Sequence, residues 1–175
     1  MDPLSGTIVA PGFPLITFHE IERIHDSFSR QGFMRTIGAV LESVESGTVA
    51  ISCAFGEGLT QQHGPVSRGV VASLVDVACG YAALSVMPDD REVLTVEFKI
   101  HFLKPAKADR VVAVGRVIQA GRTLAICEGS VFDATRTHVL ARMTTTMMAV
   151  PARSEGLVQV KTLEGQACYL LTDAV

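Results

Sequence analysis

Apolar residues change their spacing twice along this chain, and each change marks an element. Phe18, Ile21, Ile24 and Phe28 recur at three- and four-residue steps, the period of an amphipathic helix. Met34 to Val44 and Gly47 to Phe55 read as two strands, with Glu45-Ser46-Gly47 as the hairpin turn between them. Glu57 to Ser67, rich in Gly, Gln and Pro, reads as a loop. A long apolar run then extends over roughly 68–86 and stops at Pro88-Asp89-Asp90, as a helix would. Beyond it the period falls to two. Val96, Phe98, Ile100 and Phe102 alternate with Glu97, Lys99 and His101, a half-buried strand with one wet face. Arg110 to Gln119, Arg122 to Phe132 and Thr137 to Val150 are three more strands. Short connections among these four runs favour an antiparallel meander.

A helix that is apolar on nearly all sides has to be surrounded. One antiparallel sheet of five to six strands curling around the 68–86 helix buries most of it, and sheet-to-sheet dimerisation covers the rest. The expected class is therefore α+β, with an extra N-terminal helix. At 175 residues the chain is about one domain. An irregular arm over 1–16, a single domain over 17–150 and an appendage over 151–175 are the expected divisions.

Composition narrows the partners. Only 19% of residues are charged, below the roughly 25% of ordinary soluble domains, which points to surface hidden in a homodimer or a dimer of dimers. The net charge is −3 and no basic run occurs, so no nucleic-acid partner is expected. Gly69 to Met87 nearly reaches the length of a membrane span, but its one charge, Asp76, sits near the middle. A carboxylate there costs about 2.5–3.5 kcal/mol, so the segment reads as a buried helix and no membrane is expected. The cysteines at 53, 79, 127 and 168 lie too far apart for a metal knuckle or a redox motif. Free thiols and no secretory leader point to the cytoplasm, and the scattered histidines to no metal site.

Asp76 is the residue out of keeping with its surroundings. A carboxylate inside an apolar helix must be paired, hydrogen-bonded or shifted in pKa, and this makes it a candidate for chemistry. A structural Asp bonded to Ser73 or to nearby backbone is the plainer alternative. Ser67 is a good N-cap, and the first N–H groups after it are free to polarise a carbonyl oxygen. Asp76 lies nine residues beyond Ser67, about 13 Å along the axis, so both groups reach one carbonyl only if two antiparallel helices come together in a dimer. Cys79 reads as a small buried hydrophobe rather than a nucleophile.

The stretch from Gln61 through His63-Gly64-Pro65, Ser67-Arg68-Gly69 and Asp76 to Gly80 resembles the helix motif of hotdog-fold acyl-CoA thioesterases, PaaI-like branch. Downstream, Leu94-Thr95-Val96-Glu97-Phe98-Lys99-Ile100, Phe102-Leu103-Lys104-Pro105-Ala106 and Gly121-Arg122-Thr123-Leu124 are similar to that branch in order and spacing. The resemblance implies a helix wrapped by an antiparallel sheet, self-association, and hydrolysis of an acyl- or aryl-acyl-CoA, with coenzyme A entering only as part of the substrate and no separate cofactor. By position it implies that Asp76 is general base or nucleophile. Backbone N–H groups at Arg68 and Gly69 would form the oxyanion hole, Gln61 would place the carbonyl or water, and Thr95 would stand near the attacking water. Arg116, Arg122, Lys104 and Lys107 are the cations available for coenzyme A phosphates. Where the family pattern has His-Gly-Gly, this chain has Ser67-Arg68-Gly69. Backbone donation survives that change, whereas any work of an imidazole does not. An acyl-CoA-binding protein with impaired catalysis is therefore the alternative. A dehydratase or hydratase is a lesser one, because the central helix holds no histidine.

Overall fold

The computed structural model describes residues 12–107 and 109–152, together with the backbone of 162–163 and 166–167. Most of the expected 1–16 arm, and the 151–175 appendage apart from its first two residues and a short two-stranded pairing, lie outside the described residues.

Helix α1 (Phe18–Arg30) starts at a capping box: Glu20 N donates to Thr17 Oγ1 at 3.2 Å, and Thr17 N donates to the Glu20 carboxylate at 2.6 Å. The expected strand from Met34 begins instead as a short helix, α2 (Gly32–Thr36). Phe33, Met34 and Ile37 carry helical spacing, and Gly38 then turns the chain at φ +69°. Strand β1 (Ala39–Glu45) follows, paired antiparallel with β2 (Thr48–Ala54) through the expected Ser46-Gly47 turn.

After a short 3₁₀ turn at Glu57–Leu59 comes the central helix α3 (Arg68–Leu84). Strands β3 (Arg91–Phe102), β4 (Arg110–Ala120), β5 (Leu124–Asp133) and β6 (Val139–Pro151) complete one sheet, in the order β1-β2-β4-β5-β6-β3. The sheet is antiparallel throughout, as expected. The four-strand meander is not: only β4, β5 and β6 form one. Strand β3 pairs with β6 at the edge, because β2 and β5 already occupy both sides of β4.

The sheet curls around one side of α3. Val70, Val71, Leu74, Val75, Ala78, Cys79 and Ala82 are buried, each larger aliphatic side chain worth about 1.5–3 kcal/mol on removal from water. The close approach is made possible at Gly115 and Gly129, cross-strand partners on β4 and β5 that lie directly under the helix. The far end of α3 is tied down by α1. The Arg23 guanidinium donates to the carbonyls of Leu84 at 3.3 Å and Asp89 at 2.9 Å, placing a cation where the helix dipole favours one. Ser85 Oγ accepts from Gly47 N at 2.8 Å and so fastens the β1–β2 turn to the same end.

As expected, the sheet buries most of α3 but not all of it. Gly69, Ala72, Ser73, Asp76, Val77 and Gly80 form a stripe that the described residues leave open or half-open. One sheet curving over one side of a cylinder cannot reach the opposite face.

Candidate active site

Asp76 stands on that open stripe, half-buried. The side chain that reaches it comes from β3: Thr95 Oγ1 donates to Asp76 Oδ1 at 2.9 Å. A bulge arranges this contact. Thr95 lies opposite Met147 and Glu97 opposite Thr146, so Val96 is the additional residue on β3. The extra residue shifts the phase of alternation. As a result Thr95 and Phe98, three apart, both face the helix side, opposite the buried Met147 and Thr145 of β6. Partial burial pushes the Asp76 carboxyl above the ordinary carboxylate range, and the Thr95 hydrogen bond partly offsets this. A carboxylate so placed is a better base than one in free solution.

The second group of expected residues gathers at the start of α3. The loop before it is held by Ser67 N donating to Leu59 O at 2.8 Å and Val66 N donating to Ala106 O at 3.0 Å. Ser67 is the N-cap residue, but the expected side-chain cap is absent. Its hydroxyl makes no cap hydrogen bond, so the first N–H groups of α3 are not closed off by their own cap. Gln61 is anchored beside them, its Nε2 donating to Val66 O at 3.2 Å. Gln61, Arg68, Val71, Phe102 and Lys104 line a cleft of about 220 Å³. Arg68 opposes the helix dipole, and its guanidinium rests over the Phe102 ring, 5.4 Å from the centroid. Gly69 begins the open stripe.

The site residues therefore form two groups, Gln61 with Arg68 and Gly69, and Asp76 with Thr95. Asp76 lies eight positions beyond Arg68 on α3, about 12 Å along the axis. One chain does not bring the two together.

The same chain can be compared with known proteins. The thioesterase superfamily model matches residues 63–140, from the loop before α3 to the start of β6. A thioesterase family protein of Silicibacter pomeroyi, a crystal structure, is 38% identical, covers 76% of this chain and 99% of its own, and superposes with a TM-score of 0.73. A Saccharolobus solfataricus protein named "Putative esterase" is 31% identical, over 69% of this chain and 78% of its own length. The chain belongs to the thioesterase superfamily. Its hotdog fold is shared with the PaaI protein of E. coli, from the phenylacetic acid degradation operon. That protein is 17% identical, with a TM-score of 0.69 over 75% of this chain and 94% of its own.

Within this superfamily member the remaining candidates fall in different places. Lys104 lines the Arg68 cleft. Arg116 lies mid-strand on β4 between Thr48 and Glu128, and Arg122 in the β4–β5 turn; neither lines that cleft. Cys79 is buried on the sheet side of α3, facing Gly129, away from the open stripe. Cys53 and Cys127 are buried too, their thiols directed to the carbonyls of Ile37 and Cys79. Burial pushes all three thiols up, Cys127 to about 12, and Cys79 is a small buried side chain as the sequence suggested. Among the described residues no cluster of three or more His, Cys, Asp and Glu side chains offers a metal site, and no helix is long and apolar enough to cross a membrane.

Sequence reasoning missed two residues that shape the site. Val96 looked like one more member of an alternating strand, and only the pairing register exposes it as a bulge. Phe102 was placed only on the apolar face of an alternating strand, and it carries the Arg68 guanidinium at the cleft mouth.

Proposed function

We propose that this chain hydrolyses an acyl- or aryl-acyl-CoA thioester to the free acid and coenzyme A, at a site completed by a second copy of itself. The observation that carries the proposal is Asp76. It is the one carboxylate on an otherwise apolar helix, lies on the helix's open face, is raised in pKa by burial and is held by Thr95.

The thioester carbonyl would sit at the start of α3, its oxygen accepting from the N–H groups of Arg68 and Gly69. Asp76 and Thr95 from the opposing chain would face the carbonyl carbon. As general base, Asp76 takes a proton from water, the oxygen adds to the carbon, and the C–S bond breaks to release the thiol. As nucleophile, its carboxylate oxygen adds to the carbon and the C–S bond breaks to expel the thiolate; water then opens the mixed anhydride, releasing the acid and restoring Asp76. Gln61 would position the carbonyl or the water. Only water is consumed, so the reaction calls for no cofactor, and buried reduced thiols suit the cytoplasm.

Self-association is supported by the edge of the sheet. On β3, Leu94, Val96 and Phe98 are 54%, 56% and 46% exposed, and one side of the strand has no backbone partner among the described residues. A long, apolar, unpaired edge is a template for another chain. Antiparallel docking of two α3 stripes would close the roughly 12 Å between Arg68 and Asp76.

The test is thiol release from short, medium, long-chain and aromatic acyl-CoAs by the wild type and Asp76→Asn. A fall of at least about a hundredfold supports the reading. Release unaffected by the substitution removes Asp76 from the chemistry. No release, with thermal stabilisation by an acyl-CoA, would leave a binding protein in which Ser67-Arg68 has replaced a working motif.

A further inference from the structure

The face of the sheet turned away from α3 is not uniform. Across its middle runs a polar row, Lys99, Thr144, Glu128 and Arg116 on neighbouring strands, as suits a face in water. Toward the end where β6 leaves the sheet, the same face becomes apolar. Met148 pairs with Leu94 on one side and Leu124 on the other, and Ile126 and Val150 follow at the next outward positions of β5 and β6. The adjoining Thr95, Ala125 and Met147 belong to the helix side, so these five residues belong to the outer one. Leu94 and Leu124 are exposed, and Ile126, Met148 and Val150 are half-buried. Apolar side chains gathered at one end of an otherwise polar face mark a contact surface.

The chain itself leaves the sheet beside this patch. Ala152 N donates to Asp90 O at 2.8 Å, which holds the end of β6 next to the start of β3. From Ala152 to Leu157 the chain spans at most about 17 Å, and Met148 lies about 13 Å back along β6. A reversal within Arg153-Ser154-Glu155-Gly156 would therefore suffice to return Leu157 to the patch. The sequence that follows is apolar at alternate positions, Val158 and Val160 against Gln159 and Lys161, and Tyr169-Leu170-Leu171 supplies a second apolar group. Between the two, Thr162–Leu163 and Gln166–Ala167 pair antiparallel, with Glu164-Gly165 joining them in sequence. Tethering favours this segment over a second copy of the chain. Attached so near, it meets the patch at an effective concentration on the order of millimolar.

We propose that residues 157–171 dock as a hairpin on this outer patch of their own chain, covering Leu94, Leu124 and Met148. Carried outward, the pairing register sets Val160 opposite Tyr169 and Val158 opposite Leu171, which gives the hairpin an apolar face for the patch. Lys161, Cys168 and Leu170 then fall on the other face, toward solvent. The docking is independent of the chemistry at Asp76, and it closes this end of the sheet face to a second copy.

The experiment uses the full chain with a nitroxide on Cys168 and isotope-labelled methyl groups on Ile, Leu, Val and Met. Cys53, Cys79 and Cys127 are buried, so the label goes to Cys168. The methyl signals of Leu124, Ile126 and Met148 are expected to broaden most, while those of Val40 and Leu103, exposed at distant parts of the sheet, keep their intensity. A second measurement follows tryptic cleavage after Lys161 in the wild type, Leu124→Asp and Val40→Asp. Leu124→Asp is expected to speed cleavage about tenfold and to sharpen Ile126 and Met148, because a charge replaces an apolar contact and cleavage tracks the undocked population. Val40→Asp adds the same charge at another exposed position and should change neither.

Absence of broadening at Leu124, Ile126 and Met148 overturns the proposal. So does broadening centred on Val77 of the open α3 stripe, or a Leu124→Asp variant that cleaves and broadens like the wild type. Mixing spin-labelled chains with separately methyl-labelled ones reads contact between copies. Broadening of the patch in that mixture equal to that in doubly labelled protein assigns the contact to another copy, and overturns docking within the chain.

Discussion

Gly115 and Gly129 face each other across β4 and β5, and neither has room for a methyl group. A Cβ at Gly115 would lie 2.4 Å from the backbone of Ala78 and Cys79, and one at Gly129 2.3 Å from Val75 Cγ2. The two glycines are the floor on which α3 rests. Gly115→Ala is expected to cost about 3 kcal/mol, the upper part of the usual overpacking range, because helix backbone must move. Gly129→Ala should cost less, since a valine side chain can give way more easily. Urea unfolding of both variants checks the order.

Asp76→Asn should raise stability at neutral pH while it removes activity. A carboxyl whose pKa is higher in the folded chain than in the unfolded one is proton-loving in the fold. Its contribution to stability is complete below the ordinary carboxylate value and is lost as pH rises through the raised one. An amide has no such loss. The thermal midpoint of the variant should exceed that of the wild type at pH 7 and approach it under mildly acidic conditions. A lower midpoint at pH 7 would mean that Asp76 is structurally required.

Thr95→Val should move the acid limb of the pH–rate profile to higher pH. The hydroxyl donates to Asp76 and lowers its pKa against the larger effect of burial, so its removal leaves burial unopposed. Measured kcat/KM between pH 4 and 8 should show the shift, with the rate on the plateau falling less than it does in Asp76→Asn.

Arg23→Met should loosen the junction between α1 and the end of α3. The guanidinium meets the Leu84 and Asp89 carbonyls with its side chain largely covered, and methionine keeps only the stem. About 2 kcal/mol of stability should go with the lost charged hydrogen bonds. Amide exchange should quicken first at the C-terminal turn of α3.

Asp133 should titrate near pH 2 in a carboxyl NMR experiment, held down chiefly by the His138 hydrogen bond and then by those from Thr135 and Thr137. His138→Gln should return it toward the ordinary range. The stabilisation linked to this lowered pKa is present above the ordinary carboxylate value and is lost as pH falls toward about 2.

Most of this fold was legible because periodicity reports burial. The alternation from Phe98 to Phe102 gave the β3 face, and the uncharged run after Arg68 gave α3 with Asp76 as its exception. What stayed hidden depends on register or on distant pairing. Nothing local to Val96 announces a bulge, and nothing in β3 announces that its partner is β6 rather than β4. Gly115 and Gly129 look like weak strand positions until the helix above them is seen. Arg23 reads as one more charge on an amphipathic helix, because its partners lie some sixty residues on. The two groups of candidate site residues were assigned by position in a motif; that they stand at separate points of one chain follows from helix rise alone.

The deep placement of Cys53, Cys79 and Cys127 has a practical side. A disulfide reagent that reports free thiol by colour attacks thiolates within reach of solvent, and these three are covered and held protonated. In native protein only Cys168, outside the described residues, is left to contribute a background, and that background stops at one equivalent per chain. Colour that continues past the first equivalent is turnover.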